Sequence, residues 1–319
     1  MEAPAVSTIG VVVLTHNRAA DLANTLRRLR PLPETARLVV VDNASVDGTA
    51  DIVRRDFPDV ELVRLPVNAG AAGRNAGVAH LDTTYVAFCD DDTWWAPTSL
   101  ARAATLLDAY PALGLVCGRV LVGEDARDDP ASRLMAISPL SATPGLPGRP
   151  ILGFLCAASM VRRAAFLAAG GFEPRFFLGG EEELLALDLA AAGWALAYID
   201  DIVVHHHPSP RRDAGRRAHL LLRNALWCAW MRRRLPDAIR RSRAVLERTE
   251  SRRERAAALL AAVAGIPWVL RGRRAVPAYI EDSLRKLERY AERRRRRRRA
   301  GDSGVASGVA SGSRRRLAR

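Results

Sequence analysis

Tyr85-Val86-Ala87-Phe88-Cys89-Asp90-Asp91-Asp92-Thr93-Trp94-Trp95 is the stretch from which the rest of the chain can be read. Its first half is a short apolar run with β-formers, the pattern of a buried strand. Its second half sets three carboxylates side by side where that strand should end. Adjacent carboxylates repel one another, so a fold that gathers them must offset the repulsion with solvent or with a cation. Mg²⁺ and Mn²⁺ prefer hard oxygen ligands, and either would let the site hold phosphates. Taken alone, the triplet also fits a solvated acidic loop, so its neighbours have to decide.

Upstream, Ile9 to Thr15 is an unbroken β-branched run, the form of a central parallel strand. Asn17 and Arg18 follow its carboxyl end. Asp21 to Leu29 has a helical spacing at Leu22, Leu26 and Leu29. Arg37 to Val41 reads as a second strand that ends in Asp42 and Asn43, followed by further turn and capping residues through Thr49. A helix from Thr49 to Phe57 and a third strand from Val60 to Leu65 come next. Asn68 and a Gly-rich loop, Gly70 to Gly77 with Arg74 inside it, then lead through a short helix back to the opening strand. The order is β-α-β-α-β-α-β with short connections, which predicts a doubly wound, mostly parallel sheet. Polar residues stand at all four carboxyl strand ends: Thr15, Asn17 and Arg18; Asp42 and Asn43; Asn68 and Arg74; Asp90 to Asp92. In open α/β sheets that edge binds ligands. The loop matches neither G-x-x-x-x-G-K-[ST] nor G-x-G-x-x-G, which disfavours P-loop and ordinary dinucleotide-binding enzymes.

The net charge of +14 suggests a nucleic-acid binder until it is located. Arg293 to Arg319 holds eleven arginines and one acid, Asp302, so this tail carries +10 and the remaining residues only +4. Cys89, Cys117, Cys156 and Cys228 are far apart in apolar runs, as expected of reduced core cysteines in a cytosolic protein. The chain runs almost straight into its first strand, so no signal peptide is expected. The longest apolar run, Ala256 to Leu270, falls short of the ~20 residues of a membrane span. It reads as a core helix or as a segment lying on a membrane surface.

Val-Val-Val-Leu-Thr-His-Asn-Arg, Val-Asp-Asn-Ala-Ser-Val-Asp-Gly-Thr, Asn-Ala-Gly-Ala-Ala-Gly-Arg-Asn-Ala-Gly and Phe-Cys-Asp-Asp-Asp-Thr-Trp-Trp resemble, in order and spacing, the family 2 glycosyltransferases of GT-A fold. The resemblance spans roughly residues 9 to 230. It implies an inverting transferase that uses a nucleotide-diphosphate sugar, a UDP- or dTDP-sugar, with Mn²⁺ or Mg²⁺. It places Thr15, Asn17, Arg18 and Asp42 around the nucleoside and Arg74 near the diphosphate, with Asn43 and Asn68 on the same edge. Asp90 and Asp92 become the DxD pair, Asp90 towards the ribose and Asp92 on the metal. Asp91 fills the variable middle position and is grouped with the nucleotide-sugar residues.

In the second half, Pro97 to Tyr110 has a helical pattern and Leu113 to Val122 reads as a strand. Gly123 to Pro150 lacks periodicity and is read as a mobile loop near the acceptor. Phe176 to Leu185 places Glu181, Glu182 and Glu183 after two glycines, where acids also suit a helix N-terminus. Inverting transfer needs one carboxylate to take the acceptor hydroxyl's proton. The stretch resembles the family's Glu-Asp motif, with Glu182 in the place of the catalytic Asp and Glu181 in that of the Glu. Having Glu there departs from the pattern and leaves Glu181 and Glu183 open as alternatives. A last strand from Trp194 to Val204 runs into His205, His206 and His207. By the resemblance His206 best fits a metal or diphosphate contact, with its two neighbours as alternatives. Arg211, Arg212, Arg223 and Asn224 follow, and their arginines are read mainly as solvated helix charges.

Three regions result: a transferase domain over 1–230, a helical region over 231–292, and an Arg-rich tail over 293–319 expected to be disordered. The expected acceptor is a hydroxyl on a glycan or a lipid-linked saccharide, with the protein cytoplasmic or peripheral at the membrane through its C-terminal helices and tail. A specific nucleic-acid partner is not expected. The rival readings are a sugar-phosphate nucleotidyltransferase, which normally needs an N-terminal Gly-rich signature with a lysine, and a non-catalytic basic binding protein. The only lysine is Lys286.

Overall fold

The computed structural model describes residues 9–34, 37–208, 214–249 and 251–313. The strands of the first half form where the apolar runs predict. They are β1 (Ile9–Thr15), β2 (Arg37–Asp42), β3 (Glu61–Arg64) and β4 (Tyr85–Asp90), with helices α1 (Ala19–Leu29), α2 (Thr49–Asp56) and α3 (Arg74–His80) between them. After β4 come β5 (Thr93–Trp95), α4 (Ser99–Ala109), β6 (Leu113–Val122), β7 (Arg127–Asp128), α5 (Pro130–Ala136), β8 (Arg149–Pro150), β9 (Ser159–Arg162), α6 (Arg163–Ala168), α7 (Glu181–Ala191) and β10 (Ala195–His206). The sheet order is β3-β2-β1-β4-β9-β6-β10-β5. Pairs among β1 to β4 are parallel, as is β6 with β10, while β9 runs antiparallel between β4 and β6. The mostly parallel sheet flanked by helices is therefore the GT-A arrangement.

Register explains why polar strand ends share one edge. Thr15 stands opposite Asp42, and Leu14 opposite Asp90. Their apolar partners Val11 to Val13, Val39 to Val41 and Val86 to Cys89 are completely or almost completely buried, so both faces of these strands are covered and their polar residues are left to the carboxyl ends. Each fully buried valine or leucine contributes about 1.5–3 kcal/mol. All four cysteines are buried and free of disulfides.

Two stretches differ from their sequence reading. Gly123 to Pro150 is not a plain loop. It contains α5, which starts at Pro130 under an Asp129 cap: Asp129 Oδ1 accepts from Ala131 N at 2.7 Å. Ser132 Oγ also accepts from Val120 N at 2.9 Å, fastening the segment to β6. A helix of two turns is too short to show a 3.6-residue period, hence its invisibility in the sequence. The last strand also runs further than expected, through His206. The reason is β5, which pairs antiparallel with it, Trp94 opposite His205 and Thr93 opposite His206.

The C-terminal region comprises α8 (Ala214–Arg232), α9 (Leu235–Glu247), α10 (Arg252–Ala264), α11 (Ile266–Arg271) and α12 (Ala278–Ser313). It is fastened to the sheet domain through ions. Arg232 Nη2 donates to Asp188 Oδ2 on α7 at 3.0 Å. Arg233, almost wholly buried, reaches Glu281 at 2.6 Å and Glu288 at 2.7 Å, which locks α12 against the end of α8. Losing one partner of such a buried pair typically costs about 3–5 kcal/mol. Helix α12 continues past Arg293, where the sequence reading begins the tail; alanine and arginine are strong helix formers. Among the described residues no helix is long and apolar enough to cross a membrane.

Candidate active site

At the end of β1, Asn17 adopts a left-handed conformation (φ 53°), which asparagine tolerates better than most residues. Its Oδ1 accepts from Val46 N at 2.8 Å and its own N–H donates to Ser45 Oγ at 2.9 Å, stitching the β1 and β2 ends together. Asp42 is fully buried. Its Oδ1 accepts from Ser45 N at 2.8 Å, while Oδ2 lies 3.3 Å from Arg64 Nε without a hydrogen bond in the chain. A cavity of about 440 Å³ lies alongside, lined by Ala44, Ser45, Val46, Arg64, Leu65 and Pro66. The amide of Asn43 is engaged internally: Nδ2 donates to Gly70 O at 3.0 Å and Oδ1 accepts from Ala69 N at 2.8 Å. Asn68 Oδ1 accepts from Gly70 N at 2.8 Å. Both asparagines thus shape the Gly-rich loop.

The acidic triplet divides. Asp90, partly exposed, pairs with the buried guanidinium of Arg74. Asp91, placed among the nucleotide-sugar residues by sequence, is turned inward. It accepts from Thr15 Oγ1 at 3.0 Å and Arg18 Nη1 at 3.2 Å, and its backbone carbonyl accepts from Thr25 Oγ1 at 2.8 Å. Burial, with Asp90 and Asp92 beside it, pushes its pKa up to about 7 despite Arg18. Asp91 and Asp92 lie in the tight turn between β4 and β5 and share one Arg18 nitrogen, whereas Asp90, the last residue of β4, turns to Arg74. Asp92 receives Arg18 Nη1 on Oδ2 at 3.1 Å, and its Oδ1 lies 3.6 Å from His206 Nε2.

Alternation at the end of β10 sorts the histidines. His205 stacks on Trp94 (centroids 5.6 Å apart) and His207 packs against that indole at 4.8 Å. Arg28 covers it at 4.2 Å. Burial, His207 and Arg28 hold the His205 pKa below its usual value. His206, between them, is the one that faces Asp92.

The third group sits at the start of α7. Glu181 is buried, and Glu182 beside it is half-buried. Burial first, then the charge of Glu181, raises the pKa of Glu182 well above the carboxylate range, and Arg74 only partly offsets this. Arg74 in turn stays charged in spite of burial because Asp90, Glu181 and Glu182 surround it. One buried guanidinium therefore links the end of β4 to the start of α7.

The loop that delivers Glu181 depends on two residues with no site role in the sequence reading. Phe177 has φ 61° and ψ −60°, and Leu178 N donates across it to Phe176 O at 2.7 Å. This γ-turn is a strained conformation for any residue with a side chain. It is held from outside, because Phe177 O accepts from Ala71 N of the Gly-rich loop at 2.6 Å. Asn224, fully buried on α8, donates to Phe176 O at 2.8 Å, Leu178 O at 3.2 Å and Gly179 O at 2.5 Å. Arg223 is engaged by the same loop, donating to Arg175 O and Phe176 O at 3.0 Å. An amide between the leucines and tryptophans of an amphipathic helix was the available signal for Asn224; the γ-turn had none. Asn224→Ala should lower kcat by about 10- to 100-fold through misplacement of α7, with donor affinity nearly unchanged. Steady-state kinetics beside donor titration checks it; equal losses in both would mean general unfolding. Arg211 and Arg212 lie outside the described residues.

A carboxylate–imidazole pair and a buried arginine paired with Asp90 stand near the carboxyl edge of a GT-A sheet, and the comparisons with known proteins show a sugar-transferring enzyme. The Glycosyl transferase family 2 model matches residues 10–168, and the chain belongs to that family. It is similar to N-acetylglucosaminyl-diphospho-decaprenol L-rhamnosyltransferase of Mycobacterium tuberculosis, 24% identical over 245 residues, covering 66% of this chain and 79% of the relative. The pre-mycofactocin glycosyltransferase of M. tuberculosis is 30% identical over 226 residues, 66% of this chain and 45% of that protein. Among solved structures, the fold resembles the mannosyltransferase PcManGT from Pyrobaculum calidifontis in complex with GDP-Man and Mn²⁺ (TM-score 0.56, 21% identity, 88% of this chain and 86% of that one). It also resembles S. aureus TarS 1-349 in complex with UDP-GlcNAc (TM-score 0.55, 18% identity, 80% and 71%).

Proposed function

We propose that this enzyme is an inverting transferase that moves a sugar from a UDP- or dTDP-sugar to an acceptor hydroxyl on a glycan or lipid-linked saccharide, with Mn²⁺ or Mg²⁺. The observation that carries the reading is the convergence of Asp90, Asp92, His206, Arg74 and Glu182 at the carboxyl edge of the sheet. Among the described residues no group of three or more His, Cys, Asp or Glu side chains is arranged to hold a metal. The protein would therefore supply two ligands, Asp92 and His206, and leave the other positions to diphosphate and water. Mg²⁺ and Mn²⁺ accept such sites, since they keep several waters and bind phosphates readily. When bound, the cation would offset charge on the leaving diphosphate.

The remaining roles belong to the chain. Asp42 would accept from the base or ribose once Arg64 moves aside, and Asp90 would take the ribose. Arg74 would add positive charge near the diphosphate. Glu182 would accept the proton of the attacking hydroxyl, with burial beside Glu181 giving it the basicity that a normal carboxylate lacks. The M. tuberculosis relative named for a diphospho-decaprenol acceptor supports a lipid-linked acceptor, and with it a place at the inner face of the cell membrane. Incubation with a panel of nucleotide sugars and either cation, followed by product analysis, should show one UDP- or dTDP-sugar transferred with inverted anomeric configuration. Consumption of a sugar phosphate and a nucleoside triphosphate instead would favour the nucleotidyltransferase reading.

A further inference from the structure

We infer that the α10–α11 face is a docking surface for an anionic lipid bilayer. This deepens the reading of a lipid-linked acceptor, and rests on it only for its biological purpose. Leu260 is 74% exposed and Val263 59%, and Leu259, Ile266 and Leu270 are exposed around them. Beneath them lies an almost purely apolar groove of about 380 Å³, lined by Trp227, Trp230, Leu246, Leu259, Val263 and Leu270 among others. The uncharged run Ala256 to Leu270 is bracketed by basic clusters. Residues 251–274 hold six arginines against a single acid, Glu254, a net charge of +5. Exposed apolar residues flanked by arginines are the signature of helices that lie in a membrane interface and favour anionic lipid. A symmetric contact with a second copy would bring the same positive clusters together, which argues against that occupant.

The face also lies close to the catalytic end. Trp227 forms part of the groove, packs on Trp268 at 5.0 Å and on Phe176 at 6.0 Å, and Phe176 opens the loop that leads to Glu181. A bilayer against α10 and α11 would hold a lipid-borne acceptor within reach of that loop.

Co-sedimentation of the full chain with phosphatidylcholine vesicles, with and without phosphatidylglycerol, tests the inference. The unaltered protein should bind the anionic vesicles and keep part of that binding at high salt, because the apolar contribution is unscreened. Leu260→Glu with Val263→Glu should weaken binding by about tenfold per substitution and remove the salt-resistant part. Both positions are exposed, and circular dichroism should confirm an unchanged fold. Binding equal to that of the parent would mean that the Arg-rich tail does the work and would overturn the proposal. So would no vesicle binding, or self-association that the double variant abolishes. Transfer to a water-soluble acceptor, measured on the same variant, keeps the two readings apart: retained transfer with lost vesicle binding supports the docking face. Vesicle binding without any transfer by the parent would count against the enzymatic assignment alone.

Discussion

Asp92→Asn is expected to reduce sugar transfer by about a thousandfold or more while leaving the fold intact. The amide is isosteric and keeps one oxygen to accept from Arg18, which now donates to Asp92 Oδ2 at 3.1 Å. The backbone bond in which His207 N donates to Asp92 O at 2.9 Å is also untouched. What disappears is the negative charge facing His206. Without it a divalent cation has one neutral imidazole left, and the leaving diphosphate loses its counter-charge. The measurement is kcat together with a Mn²⁺ titration, and melting temperature as the control for folding. Turnover near that of the parent would remove Asp92 from the metal site.

Glu182→Gln should lower kcat by roughly 10²- to 10⁴-fold and leave donor binding unchanged, since a lost general base affects the chemical step. Its pH behaviour gives an independent check. Burial and Glu181 raise the Glu182 pKa, so at acidic pH the side chain is protonated and unable to accept. Activity of the parent should therefore rise with pH across a limb displaced upward from the carboxylate range towards neutrality. The Gln variant should lack that limb. If Glu181→Gln gives this pattern instead, the proton acceptor is the more buried of the two acids.

Both residues were visible in the sequence because they end or begin regular elements. β-Branched runs mark the central strands, and a strand's carboxyl end is where polar residues can gather, so Thr15, Asp42 and the Asp90–Asp92 triplet were legible as one edge. The period of two then allowed only one of the three histidines to share a side with Asp92, but that needed β5. Thr93-Trp94-Trp95 is too short to announce itself as a strand, and its pairing with β10 exists only in three dimensions. Asp91 shows the same limit: adjacent identical side chains look equivalent until the turn after β4 sets one on Thr15 and another opposite His206. The Arg74 link between Asp90 and Glu181 was hidden because it joins the end of β4 to a helix that starts 91 residues later. The short helix α5 and the γ-turn at Phe177 depend on capping and cross-loop hydrogen bonds rather than on composition.

The bond from Ala71 N to Phe177 O has a bearing on re-engineering this scaffold. A Cβ at Gly70 would sit 2.0 Å from Phe177 O, so the two loops meet without space for a side chain between them. They behave as matched halves of one joint. A chimera that imports a foreign donor loop across residues 68–77 must bring the corresponding 174–181 segment with it, or the graft will misplace Glu181 and Glu182 even though neither was exchanged.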